Sequence, residues 1–255
     1  MDVTSGESGN SSPQENGWNA LKDHVLRDKI QVGLWCTRVL TIVLTQFYMF
    51  PIVGNANHTY YKILLSNGAS SALRLYQRVP RVQLNMEFLQ TLMLEDSFHY
   101  LFYTLIFLFV SPSLLVLCPV FFFALLHSAS YSLTLLDCLG QNSWWPLRFG
   151  ISVLEANTSN ILRICGLWEI LLMPITILFV LAGHAGILTP IIYYQFLHFR
   201  LVSRRNPTTR NVFHEIRRYL HSLAMKPSMP EIFRRIILGF VAFTQHISPA
   251  PPTTQ

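Results

Sequence analysis

Three residues able to support proton or metal chemistry lie together at the edge of a long uncharged tract. They are Glu95, Asp96 and His99. On a helix, the His99 side chain lies within reach of both carboxylates, which precede it by four and three residues. One interpretation is a metal or proton site. We favour the other, in which the two acids begin a helix and pair with arginines of the preceding segment. The arginines available for this pairing are Arg74, Arg78 and Arg81.

A further acid, Glu169, lies within an apolar segment. A carboxylate at the centre of a membrane helix costs about 2.5–3.5 kcal/mol on insertion scales, so it needs a partner or a neutral state. Arg163 precedes it by six residues and therefore lies on a different helical face. We expect a partner from another helix, namely Arg38, His127 or His99, and we favour a structural ion pair over a transport site.

Sequence motifs of enzymes are absent. The chain contains no nucleophile elbow, phosphate-binding loop, HExxH or GxGxxG pattern. The four cysteines, Cys36, Cys118, Cys138 and Cys165, form no CxxC pair. We therefore expect neither an enzyme nor a bound cofactor or metal. A lipid-modifying enzyme would need polar residues clustered at one membrane depth, and the sequence shows no such cluster.

The elements that position these residues follow from the distribution of charge. Of the 255 residues, 51% are hydrophobic and 13% are charged, whereas about 25% are charged in a typical soluble protein. Forty residues between Asp96 and Asp137, and thirty between Glu169 and Arg200, carry no charge. A membrane-spanning helix needs roughly 20 apolar residues. The sequence thus predicts an all-α, polytopic helical membrane protein with three to four crossings.

The apolar segments give the predicted spans and their breaks. The predicted spans are 34–53, 92–110, 114–136 and 160–182, and the segment 187–199 is too short to cross alone. A new helix is expected to begin near Met86 and to continue into the second of these spans. Ser111-Pro112-Ser113 is a turn signal, which is compatible with a tight hairpin or with one long kinked span. The Gly183-His184-Ala185-Gly186 segment is a predicted break.

Amphipathic helices are predicted after the first span, over 60–78, and at the C-terminus, over 212–223 and 232–240. From Arg200 onward the chain has nine Lys or Arg and two acids. We favour binding of the C-terminal pair to anionic lipid headgroups; the alternative is packing onto the protein's own loops. The residues assigned to this membrane-binding surface are Arg204, Arg205, Arg210, Arg217, Arg218, Phe233, Arg234, Arg235, Ile237 and Phe240.

The predicted organisation has four parts. A disordered leader covers 1–20, a helical transmembrane domain 21–205, a cytosolic basic helical pair 206–245, and a disordered tail 246–255. The sequence is compatible with either placement of the N-terminus relative to the membrane. A cytosolic N-terminus requires an even number of crossings, a lumenal one requires an odd number, and both satisfy the positive-inside bias.

Several segments resemble the transmembrane protein 33 family, also called the Krüppel homolog 2 family. They follow in order over about residues 25–245: SALRLYQRVP at 71–80, LEDSFHYL at 94–101, LLHSASY at 125–131, EILLMP at 169–174, Tyr193-Tyr194, and SRRNP at 203–207. The resemblance implies a multi-pass protein of the endoplasmic reticulum and nuclear envelope. Family members associate with reticulons, influence tubule and sheet architecture, aid nuclear pore distribution in fungi, and are linked to the unfolded-protein response in animals.

The expected function is therefore a non-enzymatic membrane scaffold. Its expected partners are the lipid bilayer, anionic lipid headgroups, and reticulon-like and other membrane proteins of the reticulum and nuclear envelope; nucleic acid is not expected. The alternative is a small channel or transporter that uses Glu169, Glu95 and Asp96 in a polar pathway.

Overall fold

The structure, a computed structural model, describes residues 17–50, 55–79, 85–140, 144–203, 207–227 and 229–247, with side chains to residue 242. These residues form eleven α-helices and no strand, which confirms the all-α prediction. The helices are α1 Trp18–Arg27, α2 Lys29–Met49, α3 Ala56–Arg78, α4 Met86–Met93, α5 Asp96–Phe107, α6 Leu114–Leu139, α7 Trp145–Ala156, α8 Thr158–Leu181, α9 Thr189–Val202, α10 Thr208–Ala224 and α11 Glu231–Ile247.

Six of these helices, α2, α3, α5, α6, α8 and α9, alternate in direction. Thr41 of α2 donates a hydrogen bond to Ser66 of α3 at 2.9 Å, and Ser70 bonds Thr37 at 2.7 Å, so the two helices are antiparallel. Hydrogen bonds show the same reversal of direction for α5 against α3, for α6 against α5, and for α9 against α5 and α8. We call the end that holds Arg78, Arg200 and the start of α10 the tail end. The opposite end, which holds the hydrogen bond from Ser111 to His184, is the loop end.

Three described helices are long and apolar enough to cross a membrane, namely α2, α6 and α8. They overlap the predicted spans 34–53, 114–136 and 160–182. The helix α3 has the length to cross, but its buried face carries small polar residues such as Ser66 and Ser70. The helices α5 and α9, of 12 and 14 residues, reach only about 18 and 21 Å at 1.5 Å per residue.

The prediction of one helix running from Met86 through 92–110 is wrong. The chain leaves helical geometry at Glu95, where φ is −84° and ψ is 122°. The Glu95 carboxylate is held by Arg78 at 3.0 Å, so an ion pair to α3 stabilises the break. The turn around Pro112 then reverses the chain, as the hairpin interpretation expected, although α5 is too short to span alone.

Local signals in the sequence set several other boundaries. Ser113 caps α6 by accepting a hydrogen bond from the backbone N–H of Leu115 at 3.3 Å. Gly183 follows α8 with a φ of 75°, a left-handed conformation that glycine adopts without strain. The predicted break at this position is thus confirmed. Pro51 and Gly54, the expected end of the first span, and Ser228, the expected cap of the last helix, lie outside the described residues.

Buried aromatic residues occupy the loop-end half of the molecule. Tyr60, Tyr103, Phe107, Tyr193 and Phe196 are fully buried and belong to one hydrophobic cluster. The Tyr60 and Tyr103 hydroxyls donate to the carbonyls of Phe107 and Val116, so their polar atoms are satisfied within the cluster. This half packs as an apolar core, and the buried charged residues, Glu95, Glu169 and Arg200, lie in the tail-end half.

Candidate functional site

The carboxylate of Glu169 lies at the centre of a cluster of polar side chains in the tail-end half. Glu169 is fully buried, and each of its oxygens accepts hydrogen bonds. Oε1 accepts from the Tyr100 hydroxyl, and Oε2 accepts from the Thr209 hydroxyl at 2.8 Å and from Arg200 Nε at 3.1 Å. The Tyr193 hydroxyl donates to the Glu169 backbone carbonyl at 2.7 Å. The buried charge is therefore paired and solvated by protein groups.

Arg200 joins this cluster to the start of α5. Its side chain is 1% exposed, and its Nη1 atom forms an ion pair with Oδ1 of Asp96 at 3.0 Å. The guanidinium carbon also lies 5.4 Å from the centre of the Tyr100 ring, within cation–π distance. The expected partners of Glu169 are thus wrong. Arg200 takes that place because α9 runs back alongside α8 and brings its last turn to Glu169.

The Glu95, Asp96 and His99 group divides among separate partners. Glu95 pairs with Arg78, and Asp96 pairs with Arg200. The Nε2–H of His99 donates to the carbonyl of Met93 at 2.6 Å, and its Nδ1 lies 3.9 Å from Asp96. The interpretation in which the acids pair with arginines is correct for Glu95 and Arg78. Arg81 lies outside the described residues.

Among the described residues, no group of three or more histidines, cysteines and acids is placed to hold a metal ion. The other two polar residues expected within a span or at its edge, Arg163 and Arg38, make no ion pair or hydrogen bond with Glu169. Arg163 points outward and forms an ion pair with Glu215 of α10 at 2.7 Å. Arg38 is half-buried in α2 and faces Arg74 of α3.

The helix α10 is held against α8 and α9 by its apolar face. Val212 and Phe213 are buried in one cluster with Ile170, Leu197 and Leu201. At Gly166, the backbone of α8 passes so close to α10 that an added Cβ would lie 3.1 Å from the Cα of Thr209. The structure therefore gives this stripe to internal packing, whereas the sequence favoured the membrane.

The helix α11 leaves its apolar residues uncovered. Ile232 is 73% exposed, Phe233 59%, Ile236 62% and Phe240 49%. Of the other predicted membrane-binding residues, Arg218 and Arg235 are exposed. Arg210, Arg217, Arg234 and Ile237 are half-buried, and Arg204 and Arg205 lie outside the described residues.

Sequence reasoning missed four members of the buried cluster: Tyr100, Tyr193, Arg200 and Thr209. Arg200 was interpreted as the end of an uncharged tract. Its position thirty-one residues after Glu169 gave no signal, because only the return of α9 along α8 brings the two charges together. The signal that was available was electrostatic, since a buried acid requires a buried cation or a neutral state.

Alternating helices, three candidate spans and a buried ion-pair cluster define a polytopic helical membrane protein. The chain belongs to the transmembrane protein 33/nucleoporin POM33 family, whose sequence model matches residues 13–250. This confirms the family resemblance. The chain is 44% identical to Krueppel homolog 2 of Drosophila melanogaster over 238 residues, which is 93% of this chain and 86% of the relative.

Two further relatives support the same assignment. The chain is 40% identical to transmembrane protein 33 of Homo sapiens over 230 residues, which is 89% of this chain and 93% of the relative. It is 34% identical to the transmembrane protein 33 homolog of Caenorhabditis elegans over 239 residues, or 92% and 87% of the two chains. No solved structure matches the chain.

Proposed function

We propose that this protein is a non-enzymatic membrane scaffold of the endoplasmic reticulum and nuclear envelope. In this proposal it shapes the tubular network through reticulon-type partners and supports nuclear pore organisation or the unfolded-protein response. The family description, which names a nucleoporin, supports the nuclear-envelope part. The feature of the molecule that carries the proposal is the uncovered apolar face of α11.

This face has the composition of a membrane-surface helix. Phe233 and Phe240 are exposed on the same side of α11 as Ile232 and Ile236. Burying one large apolar side chain contributes about 1.5–3 kcal/mol, so four such residues left in water would forgo a large stabilisation. Inserting this face into the boundary between headgroups and acyl chains removes it from water.

Basic residues and a fixed support complete the argument. Arg235 is exposed on α11, Arg218 is exposed on α10, and each basic residue near an anionic leaflet contributes about 1 kcal/mol. Because α10 is packed on α8 and α9 through Val212 and Phe213, it holds α11 at the tail end. The proposal therefore assigns α11 to the cytosolic leaflet and α10 to its support.

The rival function, a channel or transporter, has weaker geometric support. Its pathway would use Glu169, Glu95 and Asp96, but each of these carboxylates is within 3.1 Å of an arginine nitrogen. An acid engaged in this way is less available to a passing ion. Ion flux through proteoliposomes of the wild-type protein would favour the rival.

The test uses the full-length protein in nanodiscs of phosphatidylcholine alone or with phosphatidylserine. Amide hydrogen exchange over α11 should slow when the anionic lipid is present, and F240D should return it toward the rate in neutral lipid. The matched control is A242D, which adds the same charge about 200° away around the helix, beside Arg235. Equal exchange in the two lipid mixtures, or equal effects of F240D and A242D, would show that this face does not bind the membrane.

The same pair of variants tests the scaffold role in cells that lack the endogenous protein. Wild type and A242D should restore the normal balance of tubules and sheets, as measured by fluorescence microscopy of the reticulum. F240D should restore it less. Full rescue by F240D would separate the cellular role from the binding of α11 to membranes.

A further inference from the structure

A cavity of about 370 Å³ lies at the tail end, lined by residues of α2, α3, α5, α6, α8 and α9 and of the start of α10. Four arginines line it: Arg38, Arg74, Arg78 and Arg200. Hydroxyl groups line it as well, and α3 contributes two of them, from Ser70 and Ser71. The cavity therefore combines positive charge with hydrogen-bond donors.

Two of the four arginines have a matched acid, and two do not. Arg78 pairs with Glu95, and Arg200 pairs with Glu169 and Asp96. No carboxylate of the described residues lies within ion-pair distance of Arg38 or Arg74. Three acids, Glu95, Asp96 and Glu169, thus face four arginines, which leaves one surplus positive charge, and the two arginines without an ion pair lie on the α2 and α3 side of the cavity.

The neighbours of this pair neutralise it only in part, because Asp96 and Glu95 attract Arg74 from beyond ion-pair distance. Arg74 donates a hydrogen bond to Nε2 of His127 at 3.2 Å, and an imidazole nitrogen that accepts from a guanidinium carries no proton. Arg38 and Arg74 are close enough to repel each other. Two cations inside a membrane domain are expensive unless an anion joins them.

We propose that this cavity binds a phosphate group through Arg38 and Arg74, with hydroxyl donors such as Ser71 completing the site. Guanidinium groups bind phosphate oxygens through charge-assisted, often bidentate hydrogen bonds. The Ser71 side chain is buried and makes no hydrogen bond to another described residue, so its hydroxyl is available to the bound anion.

A phospholipid headgroup is the source of phosphate that best fits the surroundings. Phe123, Ala124 and Leu162 give the cavity an apolar side, and three of the contributing helices, α2, α6 and α8, are candidate spans. A lipid phosphate at this site would lie near the tail-end surface, with its acyl chains beside the spans. A soluble phosphate shares the same chemistry and is therefore included in the test. The proposal involves no residue of α11 and does not depend on the membrane binding of that helix.

The experiment measures ligand binding to the full-length protein in detergent by native mass spectrometry and by the thermal unfolding midpoint. The lipid probe is dioctanoyl phosphatidic acid, and its phosphate-free counterpart is dioctanoylglycerol. Glycerol 3-phosphate and inorganic phosphate are the soluble probes. The test variant is R38Q/R74Q. Its matched control is K29Q/K62Q, which removes the same charge from exposed positions of the same two helices.

Phosphatidic acid should raise the midpoint of wild type and of K29Q/K62Q. The lost contacts should weaken its binding roughly 10-fold in R38Q and roughly 100-fold in R38Q/R74Q. Without ligand, R38Q should be at least as stable as wild type because repulsion is relieved, and this single variant serves if the double variant does not fold. If phosphatidic acid binds and the soluble probes do not, the result supports a lipid phosphate. If the soluble probes bind as well, the result supports a soluble source too. Equal binding of dioctanoylglycerol, or no larger loss in R38Q and R38Q/R74Q than in K29Q/K62Q, overturns the proposal.

Discussion

Arg200 Nε lies 3.1 Å from Oε2 of Glu169, and the two side chains are among the most buried of the described residues. They join α8 to α9, and Thr209 and Asp96 extend the contact to α10 and α5. Because four helices meet at one ion pair, the pair fixes how the tail end is assembled. A buried pair gives little net stability compared with apolar residues, but breaking it leaves an uncompensated charge.

Removing one member of this pair should therefore destabilise the protein strongly. R200Q leaves Glu169 and Asp96 without their cation, and the expected loss is about 3–5 kcal/mol in the free energy of unfolding. E169Q/R200Q should lose less than the sum of the two single variants, because the fully buried charge of Glu169 is removed together with its cation and only the partly exposed Asp96 is left without one. The measurement is chemical unfolding of the purified protein in detergent.

An exposed pair on the same side of the molecule provides the control. Arg163 and Glu215 are 2.7 Å apart, with side chains 55% and 43% exposed. R163Q should change stability by about 0–1 kcal/mol. A loss in R163Q as large as that in R200Q would contradict the assignment of the buried pair as the organising contact.

The long uncharged segments and the C-terminal amphipathic helices could be predicted from the sequence, because hydrophobic periodicity and charge are local properties. The helix α6 begins at Leu114, as predicted, and α8 begins within two residues of its predicted start. The partner of Glu169 could not be predicted, since it depends on the path of α9. The break at Glu95 was missed because its cause, an ion pair with Arg78, lies in another helix. The helix α7 was also missed, because no helix was predicted between the spans 114–136 and 160–182.

The contact between α8 and α10 should be sensitive to a single methyl group. In G166A the new Cβ would lie 3.1 Å from the Cα of Thr209, which is backbone and cannot rotate away. Overpacking of this kind costs about 1–3 kcal/mol, and here it should also disturb the hydrogen bond from Thr209 to Glu169. Amide exchange over α10 should accelerate, and the midpoint of thermal unfolding should fall.

G150A is the matched control for this substitution. Gly150 is also within a helix, and an added Cβ there meets nothing within 4 Å. Alanine is favoured over glycine inside a helix by about 0.5–1 kcal/mol, so G150A should be neutral or stabilising. Similar destabilisation by G150A and G166A would mean that the close approach at Thr209 is not the cause.

The alternating helices predict that α1 and α10 lie on the same side of the membrane. The start of α1 bonds the end of α6, through Gly17 and Cys138, and this end of α6 is at the tail end. The proposed function places the tail end in the cytosol. In a variant without native cysteines, K22C and S222C should therefore both react with an impermeant maleimide added to sealed microsomes. I187C, at the loop end, should react only after the membrane is permeabilised. Opposite labelling of K22C and S222C would require an odd number of crossings.

The last prediction concerns pH and the docking of α10. Burial lowers the pKa of His214 below its usual value of 6.5, and the charges of Arg217, Arg210 and Arg218 lower it further. A histidine with a lowered pKa binds its proton more weakly in the docked state than in the undocked one, so docking is fully favoured above 6.5 and is lost as pH falls below that value. The protection factors of α10 amides, corrected for intrinsic exchange, should fall severalfold between pH 7.5 and pH 5.5. H214Q should remove this dependence, whereas H221Q, at an exposed position of the same helix, should keep it. An unchanged pH dependence in H214Q would assign the effect to another group.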